Sequence, residues 1–312
     1  MPQDSVYVNN DSLDLEKLKD SLQGVLITPA KSEIAKHEGN EGLGMAITIY
    51  LSIILAVIVV PIFVRYVRSM LMRKKLVKDY EAKEVVFDNI LHHYNPYYKS
   101  LTNEGQARFM RRTIEFMGSK NFQYIDVEQE EMMPLLISAA AVQLTFGLKN
   151  YMLDYFNTIY VLRDNYRYGL YNMPFQGHVS EDGIYLSWNN FIKEYNDYSD
   201  GQNVGLHELA HALTYVNFNA EDGVDEVFHD KFKDFSKVAR PLFERMQAGE
   251  SNLLDKYAAT NYEEFWAVSV ETFFERPEEF RKQLPGLYFA LCHLLNQDPL
   301  TPRKIISLTE NV

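Results

Sequence analysis

The sequence predicts an α+β architecture: a mostly helical domain with a small sheet, preceded by a single transmembrane helix. Three observations carry this. From Leu43 to Val64 no side chain is charged. Residues 177–180 and 184–188 are short β-like runs flanking Glu181-Asp182-Gly183, a good hairpin turn. Residues 207–211 read His-Glu-Leu-Ala-His inside a stretch, 206–215, that no Pro or Gly interrupts.

Taken in order, residues 1–42 are polar and expected to be weakly ordered, with a short amphipathic helix over 12–22. They hold eight acidic and four basic side chains. Residues 43–64 follow as the membrane segment. As a helix these 22 residues span roughly 33 Å, about the thickness of a bilayer's hydrocarbon core. Pro61 sits near the end of the segment, where a lost hydrogen bond matters least. The segment makes a poor signal peptide, because more than 40 residues without a basic leader precede it.

Residues 65–78 carry Arg65, Arg68, Arg73, Lys74, Lys75 and Lys78 and no acid. Set against the acidic N-terminal segment, this run predicts residues 1–42 outside and the C-terminal part in the cytoplasm. Residues 65–95 read as a charged helical stalk. Residues 96–300 read as one domain, and 301–312 as a tail. Within the domain, a helix is expected from Thr102 or Asn103 to about Met117, and a second, rich in Ala and Leu, over 129–147. A β-branched run at 156–162 precedes the hairpin. A late helix is expected over 262–276, stopped by Pro277.

Composition narrows the partners. With 31 Lys and Arg against 43 Asp and Glu, the chain carries a net charge of −12, which argues against direct nucleic-acid binding. Cys292 is the lone cysteine. It allows no internal disulfide and no Cys-rich metal site, and suits a reducing compartment.

The His-Glu-Leu-Ala-His motif carries the chemistry. Residues four apart share a helical face, so His207 and His211 can offer two imidazoles to one Zn²⁺ ion. Glu208 is placed to reach a water rather than the metal. A catalytic zinc needs a third protein ligand. The late helix offers Glu263, Glu264, Glu271 and Glu275. Glu271 lies in its most apolar part, where a metal would offset the cost of burying a carboxylate. Glu264, seven residues earlier on the same face, is expected to support it. His229 is the competing ligand, in a charged segment that reads as surface. Tyr257, just before the late helix, and Tyr262, at its start, are candidate oxyanion donors. The run 184–188 is a candidate edge strand for an extended peptide.

Four segments in the same order resemble the Mlc titration factor A group of zinc peptidases over about residues 90–290. They are Leu101-Thr-Asn-Glu-Gly-Gln-Ala-Arg-Phe-Met-Arg-Arg112, Gly183-Ile-Tyr-Leu-Ser-Trp188, Asp200-Gly-Gln-Asn-Val-Gly-Leu-His-Glu-Leu-Ala-His-Ala-Leu213, and the stretch from Tyr257 to Glu275. The resemblance implies a zincin-like, gluzincin-type site whose third ligand is Glu271. The family pattern has Ser directly before that Glu; here Val270 follows Ser269. It also implies a bacterial setting, hence the inner membrane, and aminopeptidase-like hydrolysis linked to sugar uptake. Family members are soluble and bind the glucose repressor Mlc, whereas this chain carries an anchor. The expected partners are a peptide or protein substrate and a transcription regulator. The competing expectation is a regulatory module that holds such a regulator at the membrane with little peptidase activity.

Overall fold

The computed structural model describes residues 38–169, 174–197, 201–218 and 225–301. The short helix expected over 12–22 and the tail beyond 301 lie outside the described residues. Two compact units divide the chain, residues 1–67 and 68–312.

The first unit is helical where described. Helix α1 (Glu38–Ile54) passes through a π-helical turn, Leu55–Val59, into α2 (Val60–Glu81). Pro61 has no backbone N–H to donate, and the helix widens in the turn just before it. Gly44–Val64 is 21 residues long with a mean hydropathy of 2.9, and none of its described side chains is buried. Met45, Ile47, Tyr50, Leu51 and Phe63 are all exposed. By length and composition this helix suffices to cross a membrane.

In the second unit a break at Ala82 and Lys83 separates α2 from α3 (Glu84–Tyr94). Phe87 and Leu91 of α3 are fully buried in the core. The stalk expected over 65–95 is therefore corrected in its second half: one face of α3 is apolar enough to join the packed body. Asn95 then caps α4 (Pro96–Ser100), accepting from Tyr98 N, and its side-chain amide donates to Gln143 and Tyr195. Helix α5 (Asn103–Ser119) starts where expected, with the Thr102 hydroxyl accepting from Gly105 N.

Helix α6 (Met132–Thr145) is buried on all sides. Its Leu, Ile, Ala and Val residues surround the axis, so it serves as the central post of the domain. Around it run α5, α3 and the helix that carries the His pair.

The sheet has four strands in the order β1-β2-β4-β3. They are β1 (Asn121–Ile125), β2 (Thr158–Leu162), β3 (Gly177–Ser180) and β4 (Gly183–Ser187). β1, β2 and β4 run parallel, and β3 returns antiparallel to β4 through the expected hairpin. Ile159 and Val161 pair with Ile184 and Leu186, and all four are fully buried. Tyr160 and Tyr185 point to the opposite face and stack at 4.3 Å. The sheet order corrects the expected edge strand. β4 is enclosed between β2 and β3, so 184–188 presents no free edge; among the described residues β3 does.

After α7 (Trp188–Asn196) come α8 (Val204–Phe218), which carries the His pair, and α9 (Glu226–Gln247). A short 3-10 turn, Lys256–Ala259, leads into α10 (Tyr262–Glu275), then α11 (Pro277–Gln283) and α12 (Pro285–Leu295). Helix α8 packs against α6, α10 and the β3-β4 hairpin. This packing brings the His pair, the late carboxylates and the sheet edge to one place.

Candidate metal centre

The N-terminus of α8 is pinned before any functional side chain is placed. Asn203 Oδ1 accepts from Leu206 N at 2.9 Å, and the Glu194 carboxylate accepts from Val204 N at 2.6 Å. Asn203 is itself held by α10: its backbone N–H donates to Glu271 Oε2 at 2.7 Å and its side-chain amide to Glu275 Oε1 at 2.9 Å. The indole of Trp266 donates to Ala210 O at 2.9 Å and ties the middle of the two helices together. Asn261 caps α10 and accepts from Glu264 N. The two helices thus run antiparallel, with the last turns of α10 at the start of α8 and its first turn beside His207 and His211.

His207 and His211 meet on this face. Their Nε2 atoms are 3.1 Å apart. Glu264 Oε2 lies 2.9 Å from His207 Nε2 and 3.5 Å from His211 Nε2. Glu271 takes the other side of the ring: its Oε1 accepts from His207 Nδ1 at 2.6 Å. The expectation that Glu271 supplies the third ligand and Glu264 supports it is reversed by this geometry. The cause is the seven-residue spacing, two helical turns. α10 starts level with the two Nε2 atoms and runs back toward the start of α8, so Glu264 reaches Nε2 and Glu271 reaches Nδ1. Two hydrogen bonds, to His207 Nδ1 and Asn203 N, offset the cost of burying Glu271.

The donor set fits a divalent ion. Tetrahedral ligand atoms about 2.0–2.1 Å from zinc stand roughly 3.3 Å apart, and the three separations here bracket that value. Glu271 also fixes the tautomer. A proton held at Nδ1 leaves the Nε2 lone pair free for a metal, the usual effect of a carboxylate behind a metal-binding imidazole.

Glu208 is buried, and the space it occupies is made by Gly177 on β3. A Cβ at position 177 would lie 2.4 Å from Glu208 Cγ and 2.8 Å from its carboxylate. Burial pushes the Glu208 carboxyl up to about 7, the nearby imidazoles partly restraining it. Burial also acts on Glu264, but its hydrogen bonds to His207 and His211 win and hold it well below the usual carboxylate range. For His207, burial disfavours the charged form. The carboxylates of Glu271, Glu264 and Glu208 outweigh that and raise its pKa well above normal.

The two tyrosines part company. Tyr257, half-exposed, lines the cleft with its ring 6.1 Å from that of His207. Burial, with Glu264 and Glu208 adding to it, raises its hydroxyl to about 12. Tyr262 is not brought to the cleft: its ring packs on Phe243 and Phe265, with the Arg240 guanidinium 4.7 Å away. The first position of α10 faces α9, not α8. His229, the competing ligand, is also elsewhere, bonded to Asn217 O and stacked on Phe218.

The cleft has a volume of about 280 Å³ and runs between β3 and the first turn of α10. Phe175, Gly177 and Val179 form one wall and Thr214 and Tyr215 another. Two contributors were missed by reading the sequence: Gly177, whose value lies in an absent atom, and Phe175, which pairs with Tyr166 in an isolated bridge. Only the fold brings either to Glu208.

A helix with H-E-x-x-H, a sheet edge beside it and a third donor from a later helix define the class of metallopeptidase-like proteins. The family model described as glucose-regulated metallo-peptidase M90 matches residues 68–295, and the chain belongs to that family. Mlc titration factor A of Cronobacter sakazakii is 32% identical over 123 residues, 38% of this chain and 46% of that protein. Its counterpart in Klebsiella pneumoniae is 31% identical over 127 residues, 39% of this chain and 47% of that protein. The chain thus matches about half the length of these relatives. An uncharacterized protein of Synechocystis is 25% identical over 225 residues, 66% of this chain and 81% of that protein.

Proposed function

We propose that the chain is a membrane-anchored zinc peptidase, with zinc held by His207 Nε2, His211 Nε2 and the Glu264 carboxylate. The observation that carries this is the convergence of those three donors beside the buried Glu208. A bound zinc ion supplies Lewis acidity, which makes water a nucleophile near neutral pH and polarises a carbonyl.

The remaining work falls to this chain's side chains. Glu208 accepts the proton of the attacking water at its carboxylate and passes it to the leaving amine. A pKa raised by burial suits a group that must both take and return a proton. The Tyr257 hydroxyl donates to the oxyanion as the tetrahedral centre forms. Glu271 holds the His207 ring in place and keeps its proton on Nδ1. An extended peptide adds to the free edge of β3, its main chain bonding to the strand.

Leu43–Val64 is the anchor in this reading, in a bacterial inner membrane, with residues 1–42 outside and the zinc site in the cytoplasm. The support is the apolar helix together with the six basic residues at 65–78. A partnership with Mlc, resting on the names of the relatives, and a link to glucose regulation, resting on the family's description, are the proposed context.

The test is zinc content together with cleavage of a peptide library, before and after chelation. About one zinc per chain and chelator-sensitive cleavage are expected. A metal-loaded protein that binds a regulator but cleaves nothing would favour the binding-module reading.

A further inference from the structure

The proposed mechanism leaves one carboxylate of the cleft unused. Among the described residues twelve line the cleft, Glu208, Glu263 and Glu264 among them, and none of these is Lys or Arg. Glu264 faces the two imidazoles and Glu208 is held inward against Gly177. Glu263 is exposed, and among the described residues its side chain has no hydrogen-bond or ion-pair partner. The two charges of a zinc ion against three lining carboxylates leave one negative charge over. Glu271, behind His207, adds to the same sign.

A carboxylate in the first turn of a helix also favours the helix dipole. At α10 that role is shared, since Asn261 caps the helix and Glu264 occupies the same turn. What separates Glu263 from Glu264 is direction. Consecutive residues on a helix diverge by about 100° with Cα atoms about 3.8 Å apart. Glu264 turns to the imidazoles, and Glu263 opens into the cleft beside them. A low-dielectric cleft lined by one sign of charge concentrates ligands of the other.

We infer that Glu263 is a specificity residue: it receives a cationic group carried by a substrate residue adjoining the scissile bond. The reach follows from the spacing, because an extended peptide advances only about 3.3 Å per residue. A free α-ammonium group or a Lys or Arg side chain supplies that chemistry. The inference rests on the peptidase reading of the same cleft and adds its substrate class.

The experiment uses the full, zinc-loaded chain in detergent and internally quenched peptides. One set has a free N-terminus, a second is acetylated, and a third is acetylated with Lys or its neutral isostere norleucine on either side of the cleaved bond. Wild type should favour cationic over neutral peptides by roughly five- to tenfold in kcat/KM, weakening with salt. Glu263→Gln should bring that ratio close to one, and Glu263→Lys should turn it toward peptides bearing Asp or Glu. A preference lost on acetylation assigns the α-ammonium; one that survives acetylation and follows Lys assigns the side chain. If Glu263→Gln leaves the cationic-to-neutral ratio unchanged, the inference is overturned while the peptidase reading stands. If nothing is cleaved, the peptidase reading fails. Calorimetric binding of the same peptides to wild type and Glu263→Gln then decides the cation preference alone.

Discussion

Glu271 Oε1 accepts the Nδ1 proton of His207 at 2.6 Å while its other oxygen holds the backbone N–H of Asn203. One carboxylate thus orients an imidazole and anchors the helix that carries it. Glu271→Gln should keep the zinc but weaken its affinity by roughly 10- to 100-fold. Glu264→Ala should weaken it much further, because it removes a donor. Competition titrations with a zinc chelator compare the two; an equal loss, or a greater one in Glu271→Gln, would return the third-ligand role to Glu271.

Gly177→Ala tests how β3 shapes the site. The added methyl would meet Glu208 Cγ at 2.4 Å, and the strand is held by its pairing to β4. Glu208 must move. We expect kcat/KM to fall about 100-fold with zinc content unchanged. Wild-type activity would mean that the Glu208 position matters little.

Tyr257→Phe should lower kcat by about 10- to 100-fold with little change in KM, the signature of a donor that acts in the transition state. Tyr262→Phe should leave both constants close to wild type, since its ring packs between α9 and α10. Steady-state kinetics on both variants separates them; a larger loss in Tyr262→Phe would contradict the placement.

The metal-free protein should lose stability as pH rises. Burial raises the Glu208 carboxyl from 4.5 to about 7. The folded state therefore holds a proton that the unfolded chain releases. The resulting stability is full below about 4.5 and is lost as pH climbs through about 7. His207, also raised, acts in the same direction. Glu264, lowered, acts oppositely: its contribution is present above the ordinary carboxylate range and lost on acidification. After chelation, melting should drop by several degrees between pH 5 and pH 8, and less so in Glu208→Gln. A flat or rising profile would contradict the burial of Glu208.

Local pattern made most elements legible. The Thr102 cap, the turn at 181–183 and Pro277 each act within a few residues, and the structure places helix and strand ends beside them. The His pair was legible for the same reason, since four-residue spacing is a property of one helix. The choice between Glu264 and Glu271 was not. Both lie on one face of α10, and only the level at which that helix meets α8 decides which reaches Nε2. The edge strand was misplaced likewise, because a hairpin shows which strands pair and not which of them a third strand, β2, will join. Phe87 and Leu91 were hidden in a segment whose charge suggested a solvated stalk.

The proposed zinc site joins His207, His211 and Glu264. Diffraction from zinc-loaded crystals of the full chain, recorded on both sides of the zinc absorption edge, tests it most directly. We expect one anomalous peak per chain, about 2.0–2.1 Å from both Nε2 atoms and from a Glu264 carboxylate oxygen, with Glu271 still on His207 Nδ1. No peak at this position, or a peak bonded to Glu271 in place of Glu264, would contradict the account.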